Sequence, residues 1–350
     1  MTAWIRRLLL PALLALGPLV LVLDVLGAAG PLAIFVLAAG ALIPLAWLIG
    51  EATEQAAYYT GPGVGGFLNA TFGNAPELII ALVAVSDGLT NVVRASLVGS
   101  IVGNLLLVLG FAMLLGQTGK IDGRSAAISL GLVMLTTVLL LVASAPGFHG
   151  DPDRRSLALL AVPIAAVIVA VRVPVTRYAL RRQRELYAES GPTGEAGWPL
   201  GTALAVLGLA TIVTAIVTNS LVGSLESFAE RAHLSEFFVA IVIVAIVGNA
   251  AEHGSAVMLA RRGQVRLATE IALASSAQVA GLLIPLVALG SWAIDPLTLS
   301  FRPVELGALV VAAALPALVL ARARTSRLGG AILICTYVLL VVGFSFAGNR

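Results

Sequence analysis

Charge is scarce in this chain of 350 residues, of which 11% are charged and 59% hydrophobic. A typical soluble domain carries about a quarter charged residues, so this chain has too few to cover a surface in water. The composition therefore implies an integral membrane protein. It excludes a soluble enzyme, a nucleic-acid binder and a secreted disulfide scaffold. Cysteine is nearly absent too: Cys335 stands alone, which rules out an intrachain disulfide and any cysteine-based metal cluster. The net charge of +3 comes from 21 basic and 18 acidic residues. The basic ones fall mostly between apolar stretches, so they report topology and not a polyanionic partner.

What the chain does have is long apolar runs, and a bilayer span needs about 20 such residues. Eleven stretches qualify as spans: Leu8 to Leu26, Pro31 to Ile49, Val64 to Val85, Val92 to Leu115, Ser125 to Ala145, Ser156 to Val171, Pro199 to Leu221, Glu236 to Ala260, Ala268 to Leu289, Val304 to Ala321 and Leu328 to Ala347. The expected fold is all-α with about 11 transmembrane helices. If the amino terminus is cytoplasmic, 15 of the 21 basic residues lie on the inner side. Arg94, Arg154, Arg155, Arg231, Arg302 and Arg350 fall outside or at the outer rim. This bias predicts a multi-pass cell (inner) membrane protein with its carboxyl terminus outside. The hydrophilic stretch Arg172 to Trp198 reads as a cytoplasmic linker. The first span follows Arg6 and Arg7 and precedes Gly27-Ala28-Ala29, a pattern that a cleaved signal peptide shares.

An internal repeat organises the rest. Gly73-Asn74-Ala75-Pro76-Glu77 recurs as Gly248-Asn249-Ala250-Ala251-Glu252, so the two glutamates are 175 residues apart. The same offset pairs Ser100 with Ser275 and Glu51 with Glu226. Five spans separate equivalent points, and an odd number reverses direction across the membrane. The halves, 31–171 and 199–350 about the linker 172–198, are therefore expected to be inverted five-helix repeats, with 1–30 as an extra N-terminal helix. Inverted repeats with interrupted helices near the bilayer midplane are the architecture of secondary transporters. The third span carries Gly61-Pro62-Gly63, Gly65-Gly66 and Gly73 in its first half. Pro76 has no N–H for the carbonyl of Phe72, and a free carbonyl at that depth suits a cavity or an ion. Gly99-x-x-x-Gly103 in the fourth span reads as a helix-packing motif.

Glu77 and Glu252 lie within apolar spans, where a charged group costs at least about 2.5 kcal/mol, so each is a functional candidate. Asn74 and Asn249 precede them by three residues, on the same helix face. Ser96, Ser100 and Asn104 recur every four residues along the fourth span, while Ser275 and Gln278 are three apart in the ninth. Carboxylate, amide, hydroxyl and carbonyl oxygens are the ligands hard cations choose, calcium in particular. Two nearby carboxylates in low dielectric take up protons when no cation lies between them and release them to a divalent ion. Ion and proton then compete for one site, which is the requirement for antiport. His253, next to Glu252, is of the residue type whose intrinsic pKa lies near neutrality and is a candidate for tuning or relaying these protons, although its position in sequence turns it about 100° around the helix from Glu252.

At these residues the chain resembles the calcium/proton exchangers of the cation/calcium antiporter superfamily. The likeness rests on Gly-Asn-Ala-x-Glu at Gly73 to Glu77, Gly-Ser-x-x-Gly-Asn at Gly99 to Asn104, and Gly-Asn-Ala-Ala-Glu-His at Gly248 to His253. It implies that Glu77 and Glu252 bind Ca²⁺ and exchange it for H⁺. It also implies that Asn74, Asn249, Ser100, Asn104, Ser275 and Gln278 line the site, without a cofactor. That family's long acidic stretch between halves is barely present here, since Arg172 to Trp198 is basic overall. A Na⁺-coupled or monovalent cation exchanger is the alternative that oxygen ligands leave open. An intramembrane hydrolase built on Glu252 and His253 is remote, because no second intramembrane histidine or nucleophile elbow accompanies them. Partners reduce to the lipid bilayer and the transported ions, with a homo-oligomer left open.

Overall fold

The computed structural model describes residues 14–116, 118–148, 155–190 and 197–348. Among them the backbone is helical, with no strand beyond an isolated antiparallel bridge between Lys120 and Arg324. The helices are α1 (Leu16–Val25), α2 (Pro31–Phe72), α3 (Ala75–Ser86), α4 (Thr90–Leu115), α5 (Gly123–Ser144), α6 (Arg155–Ser190), α7 (Leu200–Gly223), α8 (Leu225–Arg231), α9 (Glu236–Gly248), α10 (Ala250–Arg261), α11 (Val265–Ala293), α12 (Pro303–Val319) and α13 (Arg327–Ser345).

Seven helices among the described residues are long and apolar enough to cross a membrane, or eight if α8 and α9 form one span. The sequence reading expects eleven. Helices α1, α3 and α12 are apolar but shorter, and the start of the expected first span lies outside the described residues. The expected third and eighth spans yield short helices because the backbone breaks inside them, before Ala75 and before Ala250. The expected sixth span is exceeded: α6 continues through Arg172 to Ser190, so much of the expected linker is helical. The rest of that linker, 191–196, lies outside the described residues.

The chain divides into two units, each drawing on both halves of the sequence. The first comprises 1–83, 173–233 and 247–251. Its core joins Ile49 and Ala52 of α2, Ala75 of α3, and Leu207 and Ala210 of α7, with Phe72 and Trp198 packed against them. These contacts show that α2 is not straight. Tyr59 donates to the Trp198 carbonyl at 2.9 Å, and Gln55 accepts from the N–H groups of Gly197 and Trp198, so this stretch is level with the start of α7. A straight helix would carry Phe72 about 20 Å further on. Phe72 and Ala75 instead pack with the middle of α7, so the run doubles back between Tyr59 and Phe72. That interval contains Gly61-Pro62-Gly63 and Gly65-Gly66, residues that weaken a continuous helix. The expected second and third stretches therefore lie side by side. Elsewhere in this unit Phe35 stacks on Phe228, and Ser220 donates to the Asp24 carboxylate at 2.5 Å, tying α1 to α7.

The second unit comprises 84–172, 234–246 and 252–350. Its α4 and α11 are the most enclosed candidate spans, with 83% and 72% of their most apolar 18-residue stretch buried, against 28% for α13. Gly99 is where α4 meets α9: a Cβ built there would lie 1.9 Å from the Ile241 carbonyl oxygen and 2.7 Å from the Ala245 Cβ. At Gly103 nothing lies within 4 Å, so only the first glycine of that motif serves close packing. The obstacle at Gly99 is backbone, which cannot rotate away. Gly99→Ala is therefore expected to cost about 3 kcal/mol or more and to lower the thermal midpoint in detergent by several degrees, while Gly103→Ala leaves it near the parent value. Equal midpoints for the two variants would contradict this packing.

Arg94 also departs from expectation. The sequence places it at the outer rim, yet it is 1% exposed. Its guanidinium donates to the Thr298 hydroxyl at 2.9 Å and to Asn91 Oδ1 at 2.8 Å. A buried cation is tolerable because it is hydrogen-bonded in this way.

Candidate ion-exchange site

Both copies of the Gly-Asn-Ala-x-Glu motif break their helix at the same point. The preceding half-helix ends by Gly73 in one copy and at Gly248 in the other, the asparagine sits in the turn, and a new helix starts at Ala75 or Ala250. Glycine suits a helix C-terminus and asparagine suits the position before an N-terminus, so the local sequence encodes the break. Each glutamate is then the third residue of a new helix, in its first turn. There the unsatisfied N–H groups and the positive end of the helix dipole favour a carboxylate. Pro76 is the second residue of α3, where no intrahelical N–H is required. Pro76 therefore opens a new helix and does not interrupt the interior of one.

A second paired irregularity follows. Residues Gly103–Val108 of α4 and Val279–Leu283 of α11 form π-helical turns, and the 175-residue offset carries the first onto 278–283. Such turns insert a residue into the helix and are frequent at functional sites. Asn104 lies in the first of them, and Gln278 immediately precedes the second.

In the first unit Asn74, Glu77 and Asn249 are buried. Gly248 backs Glu77 closely: a Cβ built at Gly248 would stand 3.2 Å from the Glu77 Cγ and 3.6 Å from the Ile80 Cδ1. In the second unit a hydrogen-bonded chain joins four of the expected residues. His253 Nε2 lies 3.1 Å from Asn104 Oδ1, and Asn104 Nδ2 donates to the Ser275 hydroxyl oxygen at 2.9 Å. The Ser275 hydroxyl in turn bonds the Glu252 carboxylate. With each group donating to the next, His253 carries its proton on Nε2 and Ser275 aims its hydroxyl at Glu252. The Glu252 Oε2 is buried and accepts no hydrogen bond among the described residues.

Ser100 is buried on α4 and Gln278 half-buried on α11. Ser96 and Ser276 bond carbonyls of their own helices, those of Val93 and Ala272. The sequence missed the link from His253 to Ser275. A neighbour in sequence turned about 100° looks remote from Glu252, but Asn104 bridges the angle from another helix. The only signal was that Ser275 is the repeat partner of Ser100, one turn before Asn104.

The profile of the sodium/calcium exchanger protein family matches this chain twice, over residues 30–176 and 202–346. The chain belongs to that family. The gap between the matched segments, 177–201, falls largely on the hydrophilic stretch, and each segment contains one copy of the motif. Among curated relatives, the Ca²⁺/H⁺ antiporter ChaA of Bacillus subtilis is 35% identical over 306 residues, covering 85% of this chain and 87% of its own. The Ca²⁺/H⁺ antiporter of Synechocystis is 34% identical over 322 residues, with 85% and 87% covered. Among solved structures, native YfkE superposes with a TM-score of 0.80 at 32% identity, covering 96% of this chain and 99% of its own. An H⁺/Ca²⁺ exchanger, CAX, gives a TM-score of 0.73 at 16% identity over 97% and 91%, which shows a shared fold.

Within this family member the Asn104 bridge carries its own test. Asn104→Ala is expected to lower exchange about tenfold or more by releasing both His253 and Ser275, whereas Ser96→Ala, on a residue satisfied within its own helix, changes flux less than twofold. Equal losses in the two variants would count against the bridge.

Proposed function

We propose that this protein is a secondary antiporter that exchanges Ca²⁺ for H⁺ by alternating access, with Glu77 and Glu252 serving in turn as ion ligands and proton carriers. The observation that carries the reading is the duplicated Asn-x-x-Glu at a helix break, each glutamate in the first turn of a new helix. The names of relatives 32–35% identical over most of the chain supply the exchanged pair. The proposed architecture is eleven membrane helices: two inverted five-helix repeats and one extra helix at the amino terminus. The amino terminus is cytoplasmic and the carboxyl terminus external.

In this reading the two carboxylates balance a divalent ion, the asparagine amides, Ser100, Ser275 and Gln278 contribute oxygens, and carbonyls freed at the helix breaks complete a coordination of six to eight. When the ion leaves, the carboxylates reclaim protons, and one on each would balance one Ca²⁺ electrically. Asn104 instead holds His253 and Ser275 in place. Reconstituted protein in liposomes with an imposed pH gradient should accumulate Ca²⁺ without Na⁺. Uptake that required Na⁺, or ignored the pH gradient, would replace this reading with a sodium-coupled one.

A further inference from the structure

Seven arginines and Lys120, the chain's single lysine, gather at one end of the second unit: Arg124 beside the α4–α5 connection, Arg261, Arg262 and Arg266 around the α10–α11 turn, and Arg322, Arg324 and Arg327 around the α12–α13 turn. All eight are exposed. The three segments are far apart in sequence but fixed to one another. The Ile121 N–H donates to the Ala323 carbonyl at 3.0 Å and that of Thr325 to the Gly119 carbonyl at 2.9 Å, closing the bridge between Lys120 and Arg324. The Gly119 N–H also donates to the Thr325 hydroxyl at 3.0 Å. The α10–α11 turn joins them through Arg266, whose guanidinium lies 3.8 Å from Asp122, and through Val265, which sits against Gly116. Ala112, Ala260 and Ala268 pack together just beneath.

Scattered loop cations follow from the rule that sets topology, and that rule asks nothing of their mutual arrangement. Here they sit on a scaffold that holds them side by side. Only two acidic residues, Asp122 and Glu270, lie in these segments, and Arg266 contacts both. Helix dipoles do not absorb the excess either. Helices α4, α10 and α12 end here while α5, α11 and α13 begin here, so their opposite partial charges offset one another. Six formal positive charges remain unopposed.

We infer that this surface binds the phosphate headgroups of anionic phospholipids. The connections that carry it join membrane-embedded helices, which sets the cations at headgroup depth, where lipid phosphate is the anion at hand. Guanidinium is also the side chain whose planar fork matches phosphate oxygens two at a time, and seven of the eight cations are arginine. The inference rests on the chain being embedded in a bilayer and is independent of which ion is exchanged.

The test uses the full-length protein purified in detergent. Phosphatidylglycerol, phosphatidylcholine and inorganic phosphate are titrated separately, and binding is read as lipid retained in native mass spectra and as a shift of the thermal midpoint. Phosphatidylglycerol is expected to bind at least tenfold more tightly than phosphatidylcholine and to raise the midpoint, with inorganic phosphate ineffective at the same concentration. Neutralising three cations together, Lys120→Gln, Arg322→Gln and Arg324→Gln, should weaken phosphatidylglycerol binding roughly a hundredfold, at about fivefold for each charge. The companion variant Arg322→Lys with Arg324→Lys keeps the charge and should keep most of the preference for the anionic lipid. Equal binding of the two lipids by the parent protein would overturn the inference without recourse to any variant. So would a neutralised protein that retains the preference, or inorganic phosphate that competes as well as the lipid.

Discussion

Replacing Glu77 or Glu252 with glutamine is expected to reduce Ca²⁺ uptake to the background of empty liposomes. Glutamine keeps the size and one oxygen but removes a full charge, and a divalent ion in a low-dielectric site then faces half the countercharge it needs. The remaining carboxylate cannot compensate, because the two copies sit on different helices, α3 and α10, each placed by its own break. Correct insertion is expected to survive, since removing a charge from an apolar span lowers the cost of burying it. Uptake through proteoliposomes, with protein content matched, reads the result. Near-parental exchange by both variants would reject the assignment of the site.

The second large effect is on pH. If ion and protons occupy the same pair of carboxylates, lowering the pH fills them with protons and Ca²⁺ must displace two. The apparent Ca²⁺ affinity should then fall with decreasing pH, approaching about a hundredfold per pH unit where both groups are protonated in the empty site. It should reach a plateau at high pH, where both are already ionised. A Ca²⁺ titration at a series of pH values measures this directly. An affinity that stays flat where exchange declines would mean separate sites for the two ions.

Much of this was legible in the sequence because burial in lipid is unforgiving. A glutamate within an apolar run is conspicuous, and two at one offset are more so; Glu77 and Glu252 needed no coordinates to be singled out. The breaks beside them were partly legible. Gly73 and Gly248 marked the place, but Pro76 by sequence suggests a disrupted helix interior, whereas it opens a new helix. Contacts between distant segments were illegible. Nothing in the run around Arg94 announced that Thr298, 204 residues later, would accept its hydrogen bond. These two π-helical turns had no sequence signal either, because the leucine and valine that make up most of Gly103–Val108 and Val279–Leu283 also fill unbroken helices. The order of the apolar runs could be read as a line, whereas the return of the chain between Tyr59 and Phe72 came from packing against α7.

That packing has a consequence for ancestry. The core shared by Ile49, Ala75 and Leu207 needs residues from both sides of the linker, and so does the close approach of Gly99 to Ile241. Among the described residues, 31–171 and 199–350 each leave these two packing contacts half-built without the other. If a duplication made this chain, a half-length forebear would have had to complete these cores with elements of a second polypeptide, and joining the two copies in one chain would have made that pairing intramolecular.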